Sequence, residues 1–465
     1  MGGGVMRKVI FAGITVAVVF LLMTCSIDSA FIDSLRSKIN ADLGIVDDAT
    51  GEISDAVAVT GVSLNKNAAE LFAYNTEQLT ATITPAEATN QNLIWSTSDA
   101  AKATVSESGL VRAVGGGSAA ITVTTADGGF TDTCTVTITG AGDNLPYTAG
   151  GIPFKMKYVP GRTFPTGTDD LGGEATVSSF WMGETEVTNA LMVAVMDWAY
   201  NNGKFSDTVA DPNGIDGSTA KYGTQQLLDL DALYIKIAYS AGNFSCDSGY
   251  EEYPVINVTW YGAVMFCNWL TEMVYGNANE AAYQWVDNGD GSGTASDGIW
   301  QDDETDEDLS KTGFRLPSSN EWELAARFRT DAVNTVSGYS DPWFTKGNSL
   351  SGATTFYNDS SAGAGEPGKS ANAAVAVYGK YWDGDSWEPT GETATVVKSK
   401  AANSLGIYDM SGNLWEFVFT ENGNFRILRG GTDSSADFLQ LGYASFQSPF
   451  GETDKIGFRI GRTAE

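Results

Sequence analysis

Apolar positions divide the chain into segments with different periods. Arg7 and Lys8 precede an apolar run from Val9 to Met23. That run is shorter than the ~20 apolar residues of a membrane span and has the form of a secretory signal. Residues 26–56 are polar and Asp-rich apart from one apolar-periodic stretch, Phe31 to Ile45, and read as a tether. From Ala58 to Ile138, short β-branched runs recur with the two-residue period of half-buried strands: Leu79–Ile83, Leu93–Ser96, Ala103–Val105, Ala120–Thr124 and Cys134–Ile138. Gly109, Gly115–Gly117 and Asp127–Gly129 punctuate them as turns, so a small β-sandwich is predicted, with Trp95 alternating inward with Ile83 and Val105. The Gly-rich stretch Gly140–Gly151 reads as a linker. Beyond it the period becomes helical over Asn189–Tyr200 and Tyr261–Val274. A third, shorter helix is predicted after Pro317, capped by Ser318 or Ser319, with Glu321 and Glu323 favouring its first turn. Leu428–Arg462 shows no clean helical or strand period. The segments are a signal (1–24), a tether (25–57), a strand-rich domain (58–139), a linker (140–151) and a larger domain (152–465).

Composition narrows the chemistry. A hydrophobic fraction of 42% with 11% aromatics supports buried cores. With 27 Lys plus Arg against 58 Asp plus Glu, the net charge of −31 excludes a nucleic-acid partner bound through phosphates. The chain has no histidine, which removes Ser-His-Asp and Cys-His catalysis, His-ligated zinc and His-containing iron triads. Cys134, Cys246 and Cys267 follow the leader without a CxxC spacing. Cys134 sits in a strand pattern and Cys267 in a helical one, as inert core thiols do; a Cys246–Cys267 bridge stays open.

Leu22-Met-Thr-Cys25 resembles a bacterial lipobox, which implies cleavage before Cys25, lipidation of its sulfur and a membrane attachment at the cell envelope, surface-exposed. A cleaved, freely secreted protein is the alternative. Val62-Ser-Leu64, Leu79-Thr-Ala-Thr82, Thr84-Pro-Ala86, Trp95-Ser96, Ser108-Gly-Leu-Val111 and Ile121-Thr-Val-Thr124 resemble bacterial immunoglobulin-like domains of group 2, which implies a spacer or stalk. Five later segments resemble the formylglycine-generating enzyme, or sulfatase-modifying-factor, family: Tyr158-Val-Pro-Gly161, Phe180–Asn189, Tyr253–Trp260 with Phe266–Leu270, Phe314–Pro317 with Glu321–Arg327, and Gly406–Phe417 with Arg429-Gly-Gly431 and Gly457-Phe-Arg459. The expected fold is multidomain: an Ig-like β-sandwich, then an α+β C-type-lectin-like domain with small antiparallel sheets and long loops.

That resemblance implies copper held by two thiolates shortly after Arg-Gly-Gly, but Ser435 and Gln440 occupy the two positions. Hydroxyl and amide do not replace a thiolate pair around a soft metal, so no copper is expected and no cofactor is required. An iron-dependent branch of the family needs histidines, which are absent. Catalysis is disfavoured and no catalytic residue is assigned; a residual formylglycine-type oxidase and a purely structural envelope protein are the alternatives to a binding protein.

Leu428–Arg462 also resembles the variable region of diversity-generating-retroelement target proteins. Its frame would be Arg429-Gly-Gly431, Leu439–Tyr443, Pro449 and Ile456–Arg459; the positions between are Asp433, Ser434, Ser435, Asp437, Phe438, Ala444, Ser445, Phe446, Gln447, Ser448, Phe450, Gly451 and Thr453. Most are reachable from an Asn codon by changes at its first two bases; Gln447 needs a Lys-type codon. Independently of that history, aromatic rings among Ser, Gly and Asp make an adaptable binding surface, here for a protein or glycan. The competing reading places these phenylalanines in the core.

Asn413 and Glu416 match a loop that holds calcium in some family members, and hard oxygen ligands suit Ca²⁺. The competing structural reading is an Asn turn with Glu416 paired to Arg327 or Arg429, and it is narrowly preferred. Asp287–Gly293 fails the EF-hand template and, with Asp302–Asp308, reads as a solvated insertion. Arg315, Glu321, Glu323 and Arg327 are expected to form a charge network in the scaffold.

Overall fold

The computed structural model describes residue 38 and residues 56–168, 170, 172–204, 215, 219–222, 225–232, 234–283, 308–329, 344–353, 372–378, 380–382, 387–389, 394–432 and 436–464. The leader, Cys25 and the apolar-periodic stretch 31–45 of the tether lie outside these residues apart from Lys38, as do loop 287–293 and residues 302–307. Backbone contacts separate two compact units, Met1–Ile138 and Thr139–Glu465.

The first unit is built from β1 (Gly61–Leu64), β2 (Ala68–Phe72), β3 (Thr76–Gln78), β4 (Ala81–Thr84), β5 (Leu93–Thr97), β6 (Ala103–Val105), β7 (Leu110–Ala113), β8 (Gly117–Thr125) and β9 (Thr131–Thr139). They form sheets ordered β2-β9-β8-β5, β3-β7-β6 and β1-β4. Alternation sets the faces: Ala119, Ile121 and Val123 on β8 and Cys134, Val136 and Ile138 on β9 are buried, while Thr122 and Thr133 meet across the other face at 3.2 Å. Trp95 keeps the predicted side of β5 but is only half-buried, because β5 is an edge strand with a neighbour on one side alone. Its ring lies over Gly109, where φ is +82° and a Cβ would fall 2.7 Å from the indole. Only glycine fits that turn.

The second unit opens with β10 (Asn144–Ala149) and β11 (Ile152–Val159). Half of the predicted linker is thus a strand. Leu145 and Tyr147 alternate inward, Tyr147 packs on Phe154 at 5.3 Å, and Gly150-Gly151, both at positive φ, make the two-residue hairpin turn. Then come β12 (Arg162–Pro165), β13 (Glu174–Val177), β14 (Phe180–Gly183), α1 (Asn189–Asn201), β15 (Thr219–Tyr222), β16 (Gln225–Asp229), β17 (Ile237–Ser240) and β18 (Asn243–Cys246). After α2 (Trp260–Tyr275) follow β19 (Phe314–Arg315), α3 (Ser319–Arg327), β20 (Lys380–Trp382), β21 (Trp387–Pro389), β22 (Trp415–Asn422), β23 (Phe425–Arg429), a 3-10 turn (Ala436–Leu439), β24 (Ser445–Gln447), β25 (Ile456–Phe458) and β26 (Gly461–Thr463).

Two sheets matter for the site. One has the order β10-β11-β14-β26-β19, so the last strand closes between strands from the middle of the unit. The other is β24-β23-β22-β25, with β25 parallel to β22. The three predicted helices form where the sequence places them. Thr188 and Thr259 cap α1 and α2, and Ser318 with Glu321 makes a reciprocal capping box on α3. Helix α2 is buried on nearly every side, and Gly262 lets it approach β16: a Cβ there would meet the Leu227 carbonyl oxygen at 2.1 Å. Ser318→Ala removes the hydroxyl half of the box and is expected to cost about 1 kcal/mol, seen as a lower urea midpoint at unchanged slope.

Candidate functional site

The second sheet and the loops beyond it carry the candidate surface. Arg429, at the end of β23, is 5% exposed. Its guanidinium donates to Glu323 at 2.8 Å, to Ser319 Oγ at 2.8 and 2.9 Å, and to the carbonyls of Leu441 and Tyr443 at 3.3 and 3.1 Å. One buried cation therefore ties the start of the loop to α3. The far end is held by backbone bonds: Trp260 N to Pro449 O at 3.1 Å, Asn257 N to Thr453 O at 3.0 Å and Trp415 N to Lys455 O at 2.9 Å. Leu439, Leu441, Ile456, Phe458 and Arg459 of the expected frame are all buried.

Between these anchors the aromatic side chains face outward. Phe438 is 37% exposed, and Phe446 and Phe450 are each 57% exposed, so none belongs to the core. Phe446 sits on β24 opposite Ile427, a strand too short for its period to show in the sequence. Phe450 packs against Tyr261 at 5.1 Å, and Phe438 against Tyr443 at 5.1 Å. Sequence reasoning missed Phe425, 43% exposed and 5.4 Å from Phe446 across the β23–β24 pair. The signal was a Phe directly after the Gly423-Asn424 turn, one strand away from the variable segment. Of the five exposed large aromatics described in the second unit, only Tyr234 lies elsewhere; the other four fall between 425 and 450.

Ala444 is exposed, and Ser445, Gln447, Ser448, Gly451 and Thr453 are half-buried. Three of them shape turns: Gln447 Oε1 accepts from Ser448 N at 2.9 Å, Ser448 Oγ from Phe450 N at 3.3 Å, and Thr453 Oγ1 from Lys455 N at 3.1 Å. Asp433, Ser434 and Ser435, and the side chain of Asp437, lie outside the described residues. Gln440, at the second thiolate position, is half-buried.

Beneath this surface is a buried ionic frame. Glu416, 0% exposed, accepts from Arg459 at 2.6 Å on both oxygens and from Trp322 Nε1 at 2.8 Å. Its partner is Arg459 and not the expected Arg327 or Arg429, since Glu323 holds both of those at 2.8 Å. Asn413 does form the expected turn at φ +66°; its side chain donates to Glu186 at 3.0 Å and accepts from Thr395 N at 2.9 Å. Protein groups thus already engage the two oxygen-bearing side chains considered for calcium. Among the described residues no three His, Cys, Asp or Glu gather as a metal-ligand group. Arg315 pairs with Glu321 at 2.6 Å and Arg327 also reaches Asp170 at 2.6 Å.

None of the three described thiols forms a disulfide. Cys134 and Cys267 are buried, and Cys246 does not bridge to Cys267. Burial, with Glu251 and Asp247 nearby, pushes the Cys246 thiol up to about 11, so it stays protonated at neutral pH.

Fold and site together define a two-unit protein, an Ig-like β-sandwich followed by an α+β unit of C-type-lectin-like fold. The sulfatase-modifying factor enzyme 1-like domain matches residues 153–464, and the chain belongs to that family; the bacterial Ig-like domain of group 2 matches residues 58–136. Among curated relatives, an uncharacterized protein of Clostridium acetobutylicum is 34% identical over 124 residues, covering 26% of this chain and 13% of that one. The chain spans 13%, 20% and 40% of the length of three relatives that it matches. The inactive C-alpha-formylglycine-generating enzyme 2 of Bos taurus is 23% identical over 349 residues, covering 68% of this chain and 90% of that one. Among solved structures, variable protein 1 of Treponema denticola is 25% identical with a TM-score of 0.43, covering 69% of this chain and 99% of that one.

Proposed function

We propose that this is a lipid-anchored bacterial envelope protein whose Ig-like unit acts as a stalk, and whose lectin-like unit binds a protein or glycan without catalysing a reaction. The observation that supports this most directly is the set of outward-facing rings Phe438, Phe446 and Phe450 on a segment tied down at both ends, with Phe425 beside them on β23. Rigid aromatic area on a pre-organised loop is what a binding surface needs, because little order is lost on association. The missing thiolate pair points the same way, as does the relative named inactive. The lipid anchor rests on the resemblance around Cys25, and diversification of the loop on the residue types at its exposed positions.

The test compares the purified full chain with Phe446→Ser/Phe450→Ser on a glycan microarray and on arrayed extracellular proteins. Hot-spot aromatics contribute about 2 kcal/mol each, so binding is expected to fall on the order of a thousandfold. Exposed positions tolerate substitution within roughly 0.5 kcal/mol, so the melting temperature should shift by about 2 °C or less. Unchanged binding, or a collapse of the melting temperature, contradicts the reading.

A further inference from the structure

We infer that β5 of the first unit pairs with β5 of a second copy of this chain, joining two four-stranded sheets into one continuous sheet. The ladder to β8 decides which way the β5 backbone points. Ala126 N bonds to Asn92 O and Ser98 N to Ala120 O, and the register between them is unbroken. Even-numbered residues therefore exchange bonds with β8, while Leu93, Trp95 and Thr97 turn their N–H and C=O groups the other way. β5 ends the order β2-β9-β8-β5, and among the described residues no backbone group bonds to those outward groups. A groove of about 630 Å³ runs beside the strand, between Gln91–Trp95 and Val105–Glu107, so the edge can be reached.

Sheet edges are normally blunted by charge, by shortness, by proline or by a bulge. Other edges of the sandwich follow that rule. β2 carries Glu70, β3 carries Glu77 paired with Lys66, and β6 has only three residues. β5 has none of these devices. It reads Leu-Ile-Trp-Ser-Thr, with Ile94 59% exposed and Trp95 half-buried. The whole run from Ala88 to Ser98, between Glu87 and Asp99, is without charge.

That uncharged seam selects the occupant. A chain of net charge −31 repels its own copy wherever acidic surfaces meet, and approaches it best along such a run. A partner chosen by opposite charge finds nothing on this strand to pair with. The strand also matches itself. Turned antiparallel about a two-fold axis at Trp95, Leu93 faces Thr97 of the second copy and Trp95 faces its own equivalent. All the outward groups of the strand then exchange bonds, and Ile94 lies beside Ser96 of the second copy on the exposed face. So short a seam gives a dimer that forms with rising concentration.

The test is sedimentation velocity of the full chain, which should pass from monomer to dimer between about 1 and 100 μM. Ile94→Glu/Ser96→Glu places carboxylates directly opposite one another and should weaken the dimer about tenfold or more, as should Ile94→Lys/Ser96→Lys. Both positions are exposed, so melting curves should stay unchanged, and mixing the two variants should restore the dimer. Disulfide trapping reports the register, because residues facing each other in a non-bonded pair lie about 4.5 Å apart at Cα, within reach of a disulfide. Ile94→Cys and Ser96→Cys chains should cross-link on oxidation when mixed, and each alone no more than the parent. A chain that stays monomeric throughout, charge variants that associate like the parent, a mixture that fails to restore the dimer, or no cross-link between the cysteine variants each overturns the proposal. So does loss of the dimer in Phe446→Ser/Phe450→Ser, which would place the contact on the phenylalanine surface instead.

Discussion

An Arg459→Met chain is expected to lose about 3–5 kcal/mol of stability in its second unit, because the substitution leaves a buried carboxylate without its cation. Arg459 is 0% exposed and takes both oxygens of Glu416 at 2.6 Å, while its other N–H groups reach Gly183 O at 3.2 Å and Tyr408 O at 3.0 Å. Glu186 and Asp409 are close enough to add to its field. Methionine fills much of the volume but returns none of the charge, so Glu416 would keep only its bond from Trp322. Urea unfolding followed by tryptophan fluorescence isolates the effect, since every tryptophan except Trp95 lies beyond residue 138. A loss under about 1 kcal/mol would show that the pair is not the brace described here. Adding Glu416→Met to the same chain should restore part of the loss, as an apolar pair of similar volume often equals a buried ion pair.

The same design recurs through the unit. Buried arginines donate at once to a carboxylate and to backbone carbonyls of irregular segments: Arg429 to Leu441 O and Tyr443 O, Arg459 to Gly183 O and Tyr408 O. A loop-rich fold leaves many carbonyls outside regular ladders, and a planar five-donor group can satisfy several of them together. The consequence for function is direct. When anchors such as Arg429 and Leu441 fix the loop from below, the outward residues can vary without disturbing the fold.

Segments whose signal is local were legible in the sequence. The three helices were, because each combines a period with a capping hydroxyl, Thr188, Thr259 or Ser318. The sandwich was, because β8 and β9 are long enough for alternation to show. Strand β10 was read as linker because glycines flank its six residues, and its partner β11 is what makes it a strand. The outward orientation of Phe446 was expected from its Ser- and Gly-rich surroundings and not from a period, since β24 has three residues and burial there depends on β23. Pairings between distant residues were the least legible. Glu416 was expected on Arg327 or Arg429, and nothing local distinguishes those from Arg459, which lies 43 positions away.

Beside that brace, Glu186→Gln is expected to make the second unit more stable above neutral pH and its stability flatter with pH. Glu186 is 2% exposed, and its Oε1 accepts from Asn413, but no N–H or O–H points at its Oε2. Burial, and next the neighbouring Asp409, push the Glu186 carboxyl well above its ordinary value of 4.5; burial likewise raises Asp409. A proton held between the two carboxyls would supply the missing donor. The sign follows from linkage: a group whose folded value is raised binds its proton more tightly when folded. Its stabilising contribution is complete below 4.5 and is lost as the pH rises through the folded value. Glu184 and Glu321 behave oppositely. Burial alone would raise them, yet Lys398 and Lys157 hold Glu184 down and Arg315 holds Glu321 down, so their contributions are present at neutral pH and lost in acid. Glutamine at 186 supplies a permanent N–H toward Asp409 and removes the titrating carboxyl. Urea midpoints from pH 5 to 9 should therefore fall with pH in the parent chain and stay nearly level in the variant. Parallel curves for the two would mean that the proton is not shared at this site.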